Sequence, residues 1–115
     1  MDQVLGSGRD VGAKLFRGLG DVTRLAILQS LAAGERRVTD LVDELGMSQS
    51  NVSTHLACLK DCGLVADRPE GRAVYYRIAT SEVFELLRSA ETLLEGIGQR
   101  IALCPHYRSA EERPV

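Results

Sequence analysis

At 115 residues, with 44% hydrophobic and 26% charged side chains, the chain is long enough for one modest core and too short for two. A net charge of −2 and a pI near 5.7 argue against a protein that coats nucleic acid indiscriminately, because such affinity comes from neutralising phosphates. No run of about 18 apolar residues occurs, and the opening Met-Asp-Gln-Val-Leu-Gly-Ser-Gly lacks the basic and apolar regions of a signal peptide, so a cytoplasmic protein without a membrane partner is expected. In that reducing compartment three cysteines are poor candidates for structural disulfides, and an odd number leaves a thiol free, which favours metal binding or redox sensing.

Residues 1–8 are Gly-rich and unpatterned and read as a flexible arm; a first helix is expected near Arg9 to Leu19. Asp21 opens a second, with Leu25, Leu28 and Leu31 at helical spacing and Gly34 behind. Val38 to Gly46 gives a short amphipathic helix, and Ser48 caps the next after a tight Gly-Met-Ser connection, which makes a helix-turn-helix. After Gly63 the period changes to alternation: Leu64 to Pro69 and Arg72 to Ala79 read as a hairpin wing around Glu70 and Gly71. Thr80 or Ser81 caps a long last helix carrying Val83, Phe84, Leu86, Leu87, Ala90, Leu93, Leu94, Ile97 and Ile101, with Cys104-Pro105 ending it. That apolar stripe is too wide for one neighbour and predicts a homodimer. The expected organisation is a mainly α fold with a β-hairpin wing (α+β), order ααααββα, over residues 9–104, followed by a mobile tail at 105–115.

Cys58 and Cys62 lie four apart on the helix that reads DNA in such a fold, hence on one face. If Val52, Leu56 and Leu59 define the buried face, the two cysteines lie roughly 130 and 90 degrees from it, outside the core centre. Two thiolates one turn apart can share a metal, and two ligands leave such a site incomplete. Over residues 48–78 the charge is weakly basic, with Lys60, Arg68, Arg72 and Arg77 against Asp61, Asp67 and Glu70, which predicts moderate, salt-dependent DNA affinity.

Three segments together resemble the ArsR/SmtB family of bacterial winged-helix repressors: Leu19-Gly-Asp-Val-Thr-Arg-Leu-Ala-Ile-Leu, Ser48-Gln-Ser-Asn-Val-Ser-Thr-His-Leu, and Gly71-Arg-Ala-Val-Tyr-Tyr-Arg-Ile. The resemblance implies a homodimer joined by the first and last helices, which binds double-stranded operator DNA and leaves it when an inducer binds. The Cys-x-Cys pair of some members is absent from Arg36 to Leu41, and Ser81 to Leu103 holds no histidine for the zinc sites of others. What remains is similar to the cadmium and lead sensor subgroup, which implies Cys58, Cys62 and Cys104 as ligands. Because Cys104 ends a last helix some 30 Å long, the site is expected to be shared between protomers. Three thiolates select soft ions, Cd(II) or Pb(II), with Zn(II) or As(III) as other possibilities; His106 is a further candidate ligand.

For DNA, the outward N-terminal half of the reading helix offers Gln49, Ser50, Ser53, Thr54 and His55 to bases or phosphates, and Arg68, Arg72 and Arg77 on the wing face phosphates or the minor groove. Plainer roles stand beside these: Ser48 is first a helix cap, Gln49 could be partly packed, His55 could hydrogen-bond within the fold, and Tyr75 or Tyr76 fits the wing core better than a base contact. A thiol redox or persulfide sensor on the same scaffold is the alternative function. An enzyme is not expected, since no Ser/His/Asp order, phosphate loop or Cys-x-x-Cys motif accompanies the thiols.

Overall fold

The computed structural model describes residues 8–98 and 103. Five helices and a small sheet follow in chain order: α1 (Gly8–Leu19), α2 (Val22–Ala32), β1 (Arg36–Arg37), α3 (Val38–Leu45), α4 (Gln49–Asp61), β2 (Val65–Glu70), β3 (Ala73–Ile78) and α5 (Ser81–Gly96). This is the expected winged helix-turn-helix. Among the described residues no helix is long and apolar enough to cross a membrane.

The caps fall where short polar side chains precede apolar periods. Asp21 accepts the Arg24 N–H at 3.0 Å and Ser48 the Asn51 N–H at 3.2 Å, each supplying an acceptor to an orphan amide of the first turn. Gly46 takes φ +66 as the C-cap of α3 and donates to the Val42 carbonyl, so α3 stops abruptly and α4 begins three residues on. The core is drawn from α2 to α5 and the hairpin: Ile27 and Leu28 of α2, Leu41 of α3, and Val52, Leu56 and Leu59 of α4 are fully buried, with Leu64, Val65, Ile78, Val83 and Leu87 joining them, while α1 packs only the half-buried Leu15 and Leu19 against this cluster.

Two differences from the sequence reading have physical causes. A short strand, β1, pairs Arg36 with Tyr76 and Arg37 with Tyr75, giving an antiparallel sheet in the order β1-β3-β2. Two charged residues carry no alternation, so only the partner strand shows it. Pro69 sits on β2, an edge strand, where its missing N–H costs no ladder bond. The last helix, expected to run to Cys104, ends at Gly96; Ile97 caps it and Gly98 adopts φ +92, which the helix cannot continue through. Gly8, expected in the arm, begins α1. The rest of the arm, Ile101, Cys104, His106 and the tail lie outside the described residues.

Candidate nucleic-acid interface and thiol site

Helix α4 divides lengthwise. Val52, Leu56 and Leu59, spaced four and three apart, are buried, and this fixes the opposite face: Gln49, Ser50, Ser53 and Thr54 are exposed. Four short polar side chains at the N-terminal end of a helix, free of the core, form a surface that fits a major groove. Ser50 lies with its hydroxyl 3.4 Å from that of the capping Ser48.

His55 is turned the other way. Its Nδ1 lies 3.3 Å from Nη1 of Arg24 and 4.0 Å from the Asp21 carboxylate, with its side chain 20% exposed. Since guanidinium only donates, that nitrogen must accept. Arg24 also donates to the carbonyls of Gly18 at 2.8 Å and Arg17 at 2.8 Å, so one side chain ties the C-terminus of α1 and the start of α2 to the reading helix. The Arg24 N–H holds the Asp21 carboxyl below its usual range, chiefly as a hydrogen-bond donor.

On the wing, Arg72 is exposed in the two-residue turn between β2 and β3, where Gly71 takes φ +64. With Arg37, Val38, Thr39, Ala73 and Val74 it lines a groove of about 390 Å³ between the wing and the start of α3. Arg37 is held by Asp40 at 3.0 Å. Arg77 is exposed. Arg68 is committed elsewhere: its guanidinium donates to both carboxylate oxygens of Glu35, at 2.9 and 2.8 Å, and to Glu70 at 2.5 Å, and lies 5.0 Å from the Tyr75 ring centroid. Arg68 thus braces the wing against the loop before β1, and it holds the Glu35 carboxyl below its usual range.

The C-terminal end of α4 carries the thiols. Cys58 and Cys62 are both free and half-buried, and Cys62 is the C-cap, its N–H bonded to the Cys58 carbonyl at 3.0 Å. The Cys62 thiol donates to the Lys14 carbonyl of α1 at 3.4 Å. Burial pushes the Cys62 thiol up, and the adjacent Cys58 adds to this both as a charge and as a hydrogen-bond partner. Cys58 and Cys62 stand one turn apart on α4, the spacing at which two thiolates can share one soft ion. Beside them a cavity of about 270 Å³ is lined by Val11, Gly12, Lys14, Leu15, Asp61 and Cys62, and Lys14 pairs with Asp61 across it at 2.6 Å. That bond holds the Lys14 ammonium above its usual range.

Among the described residues no group of three His, Cys, Asp or Glu side chains forms a complete metal site. The pair fits two positions of a thiolate set, and the third expected ligand, Cys104, lies outside the described residues. Lys14, Gly18, Arg24 and Glu35 had no local signal in the sequence; Lys14 meets Cys62 across 48 positions, which periodicity within one helix cannot reveal.

Comparison with known proteins agrees with this architecture. Residues 21–67, spanning α2 to the first half of β2, match the family model for bacterial regulatory proteins of the arsR family. The chain is 42% identical over 84 residues to a probable mercury resistance operon repressor of Streptomyces lividans, covering 73% of this chain and 67% of that protein. It is 45% identical over 75 residues to the HTH-type transcriptional regulator CmtR of Mycobacterium tuberculosis, covering 65% of this chain and 64% of that one, so it spans a little under two thirds of that relative's length. Among solved structures, the homodimeric winged helix-turn-helix DNA-binding domain Mb0332 of Mycobacterium bovis, a possible ArsR-family transcriptional regulator, superposes with a TM-score of 0.74 at 35% identity, over 80% of this chain and 85% of that one. With the helix-turn-helix, the wing and the polar face of α4 in place, the chain belongs to the ArsR/SmtB family of bacterial winged-helix transcriptional repressors, and is a DNA-binding regulator rather than an enzyme.

Proposed function

We propose that the protein is a metal-responsive repressor: a cytoplasmic homodimer, joined through α1 and α5, that binds operator DNA and releases it when Cys58, Cys62 and Cys104 take up a soft ion, Cd(II) or Pb(II). The observation that carries this is the division of α4. Its N-terminal half presents Gln49, Ser50, Ser53 and Thr54 to solvent, and its C-terminal half carries two half-buried thiols one turn apart, with Cys62 resting on α1. A change at the thiols acts on the same rigid helix that reads the bases.

On this proposal Gln49, Ser50, Ser53 and Thr54 contact base edges, and Arg72 and Arg77 reach phosphates flanking them. His55 and Arg68 serve by position, the first through Arg24 and the second through Glu35. Bound soft metal supplies strong, directional bonds to thiolate sulfur. To become a ligand, Cys62 must lose its proton and its hydrogen bond to the Lys14 carbonyl, which loosens the contact between α4 and α1. In a dimer joined through α1 this changes the spacing of the two reading helices, which must match a groove repeat of about 34 Å. Each factor of ten in operator affinity needs about 1.4 kcal/mol of such coupling, and operator binding must weaken metal binding equally.

The test is fluorescence anisotropy of the reduced protein on its own upstream DNA, titrated with Cd(II), for the parent and Cys58→Ser. Release in the parent and none in the variant supports the proposal. Tight binding that ignores Cd(II) and Pb(II) refutes it, and release by peroxide or persulfide instead would establish the redox alternative. Mixing Cys104→Ser protomers with Cys58→Ser, Cys62→Ser protomers tests whether the site is shared, since only a shared site is partly restored in the mixed dimer.

A further inference from the structure

We propose that the groove between the wing and the start of α3 seats the sugar-phosphate backbone of one DNA strand, held by Arg37, Arg72 and the Thr39 hydroxyl. The proposal rests on the DNA-facing role of α4 and the wing argued above, and adds to that surface two residues, Arg37 and Thr39, that lie outside both elements. The groove, of about 390 Å³, exists because β1 has only two residues. They pair with Tyr76 and Tyr75 of the central strand β3, and the chain then turns into α3 at Val38. The edge of β3 at Ala73 and Val74 is left without a strand on that side, and Val38 and Thr39 line the same gap.

The lining fits one chemistry. Arg37, Val38, Thr39, Arg72, Ala73 and Val74 bring two guanidinium groups, one hydroxyl and apolar side chains to the groove, and no carboxylate. Arg37, Thr39 and Arg72 are exposed, and so is Val74, an apolar side chain left 40% in water. Two cations and a donor hydroxyl match the oxygens of phosphodiesters, and the valines match the apolar faces of deoxyribose. Arg37 is already held for this task. Its backbone N–H donates to Oδ2 of Asp40 at 2.8 Å, its Nε to the same oxygen at 3.3 Å and its Nη2 to Oδ1 at 3.0 Å. These bonds occupy one edge of the guanidinium and leave the Nη1 corner to donate elsewhere. Asp40 is therefore a positioning residue, and less side-chain freedom is lost when a phosphate arrives. Arg72, at the wing tip, has no ion-pair partner among the described residues. The strand thus runs from the wing tip toward the first helix of the helix-turn-helix.

The experiment is fluorescence anisotropy of the reduced protein on its upstream DNA and on an unrelated duplex, over a salt series without added metal, with thermal melting as a check of the fold. Arg37→Gln keeps the backbone bond to Asp40; it is expected to weaken binding to both duplexes alike and to reduce the slope of log affinity against log salt by about one. Combined with Arg72→Ala, the reduction should be about two. A single neutral methylphosphonate, scanned through the flanking phosphates, should at one position cost the parent affinity and cost Arg37→Gln nothing further, a coupling that a merely structural Arg37 would not show. If Arg37→Gln does not fold, Thr39→Glu serves instead: an acidic residue suits the first turn of a helix, and its carboxylate set against phosphate should weaken binding at least about tenfold. A parent-like slope for Arg37→Gln, or parent-like affinity for Thr39→Glu, beside a reduced slope for Arg72→Ala overturns the seat and leaves the wing contact standing. A parent-like slope for Arg72→Ala as well, or a parent that binds neither duplex, overturns the DNA-facing assignment of the wing and the seat with it.

Discussion

Cys62 is seated against α1 by two contacts that its place in the sequence does not announce. Its thiol donates to the Lys14 carbonyl, and a Cβ built on the buried Gly18 would lie 2.8 Å from its sulfur. Gly18 is thus small because a sulfur occupies the space. Gly18→Ala should destabilise the fold by about 1–3 kcal/mol, the usual range for overpacking, measured by urea unfolding. In a Cys62→Ala background the penalty should shrink by at least about 0.5 kcal/mol, the coupling expected of residues in contact; equal penalties in both backgrounds would show that the sulfur is not what Gly18 accommodates. A second residue, Glu35, is tied to Arg68 and has its carboxyl held below the usual range by that guanidinium. A depressed folded-state pKa means the native state binds its proton less tightly than the unfolded chain. The stabilisation is therefore complete above the ordinary glutamate range and is lost as pH falls from that range through the lower value of the folded state. Glu35→Gln should flatten this part of the acid limb of a stability–pH curve while leaving the limb above neutrality unchanged.

At the scale of elements, the proposed function has α4 and the wing divide the work of DNA contact. A rigid helix with four short polar residues at its N-terminal end is suited to reading bases, and a hairpin tip with one exposed arginine is suited to holding phosphate. Arg72→Ala should weaken binding to operator and unrelated DNA alike and reduce the salt slope of log affinity by about one for each phosphate that is no longer neutralised. Ser53→Ala and Thr54→Ala should instead change the preference among operator variants, with little effect on the salt slope. Anisotropy over a salt series separates the two; a uniform loss for Ser53→Ala would remove it from base reading. Arg68→Ala, by contrast, acts first on the brace to Glu35, because its guanidinium is already occupied. The helix periods, the caps and the hairpin tip were legible because each depends on neighbours a few residues apart. The early end of α5 was written at Gly96 and Gly98, but the apolar period continues past them to Ile101 and masks the break.

For the whole molecule, four large apolar side chains stand in solvent on the two helices expected at the dimer interface. Val11 is 61% and Phe16 62% exposed on α1, and Leu93 on α5 and Ile97 at its C-cap are 70% and 68% exposed. Monomeric proteins rarely leave such residues together in water. Phe16→Glu and Leu93→Glu should each convert a dimer into a species of about 12.5 kDa in light scattering. Operator affinity should fall more than about tenfold, since one protomer engages a single half-site. A variant that stays dimeric would place the interface elsewhere.

By itself the sequence determined the order of the helices and the hairpin, the buried face of α4, the caps at Asp21 and Ser48, and the placing of Cys58 and Cys62 one turn apart, because spacing along one helix or strand governs all of these. Tertiary structure decided what crosses between elements: that Cys62 rests on Lys14 and Gly18, that Arg24 turns His55 inward, that Arg68 belongs to Glu35, and that Glu91 catches Leu103. Those contacts depend on where the core brings distant segments together, and a one-dimensional pattern of polar and apolar residues carries no record of it.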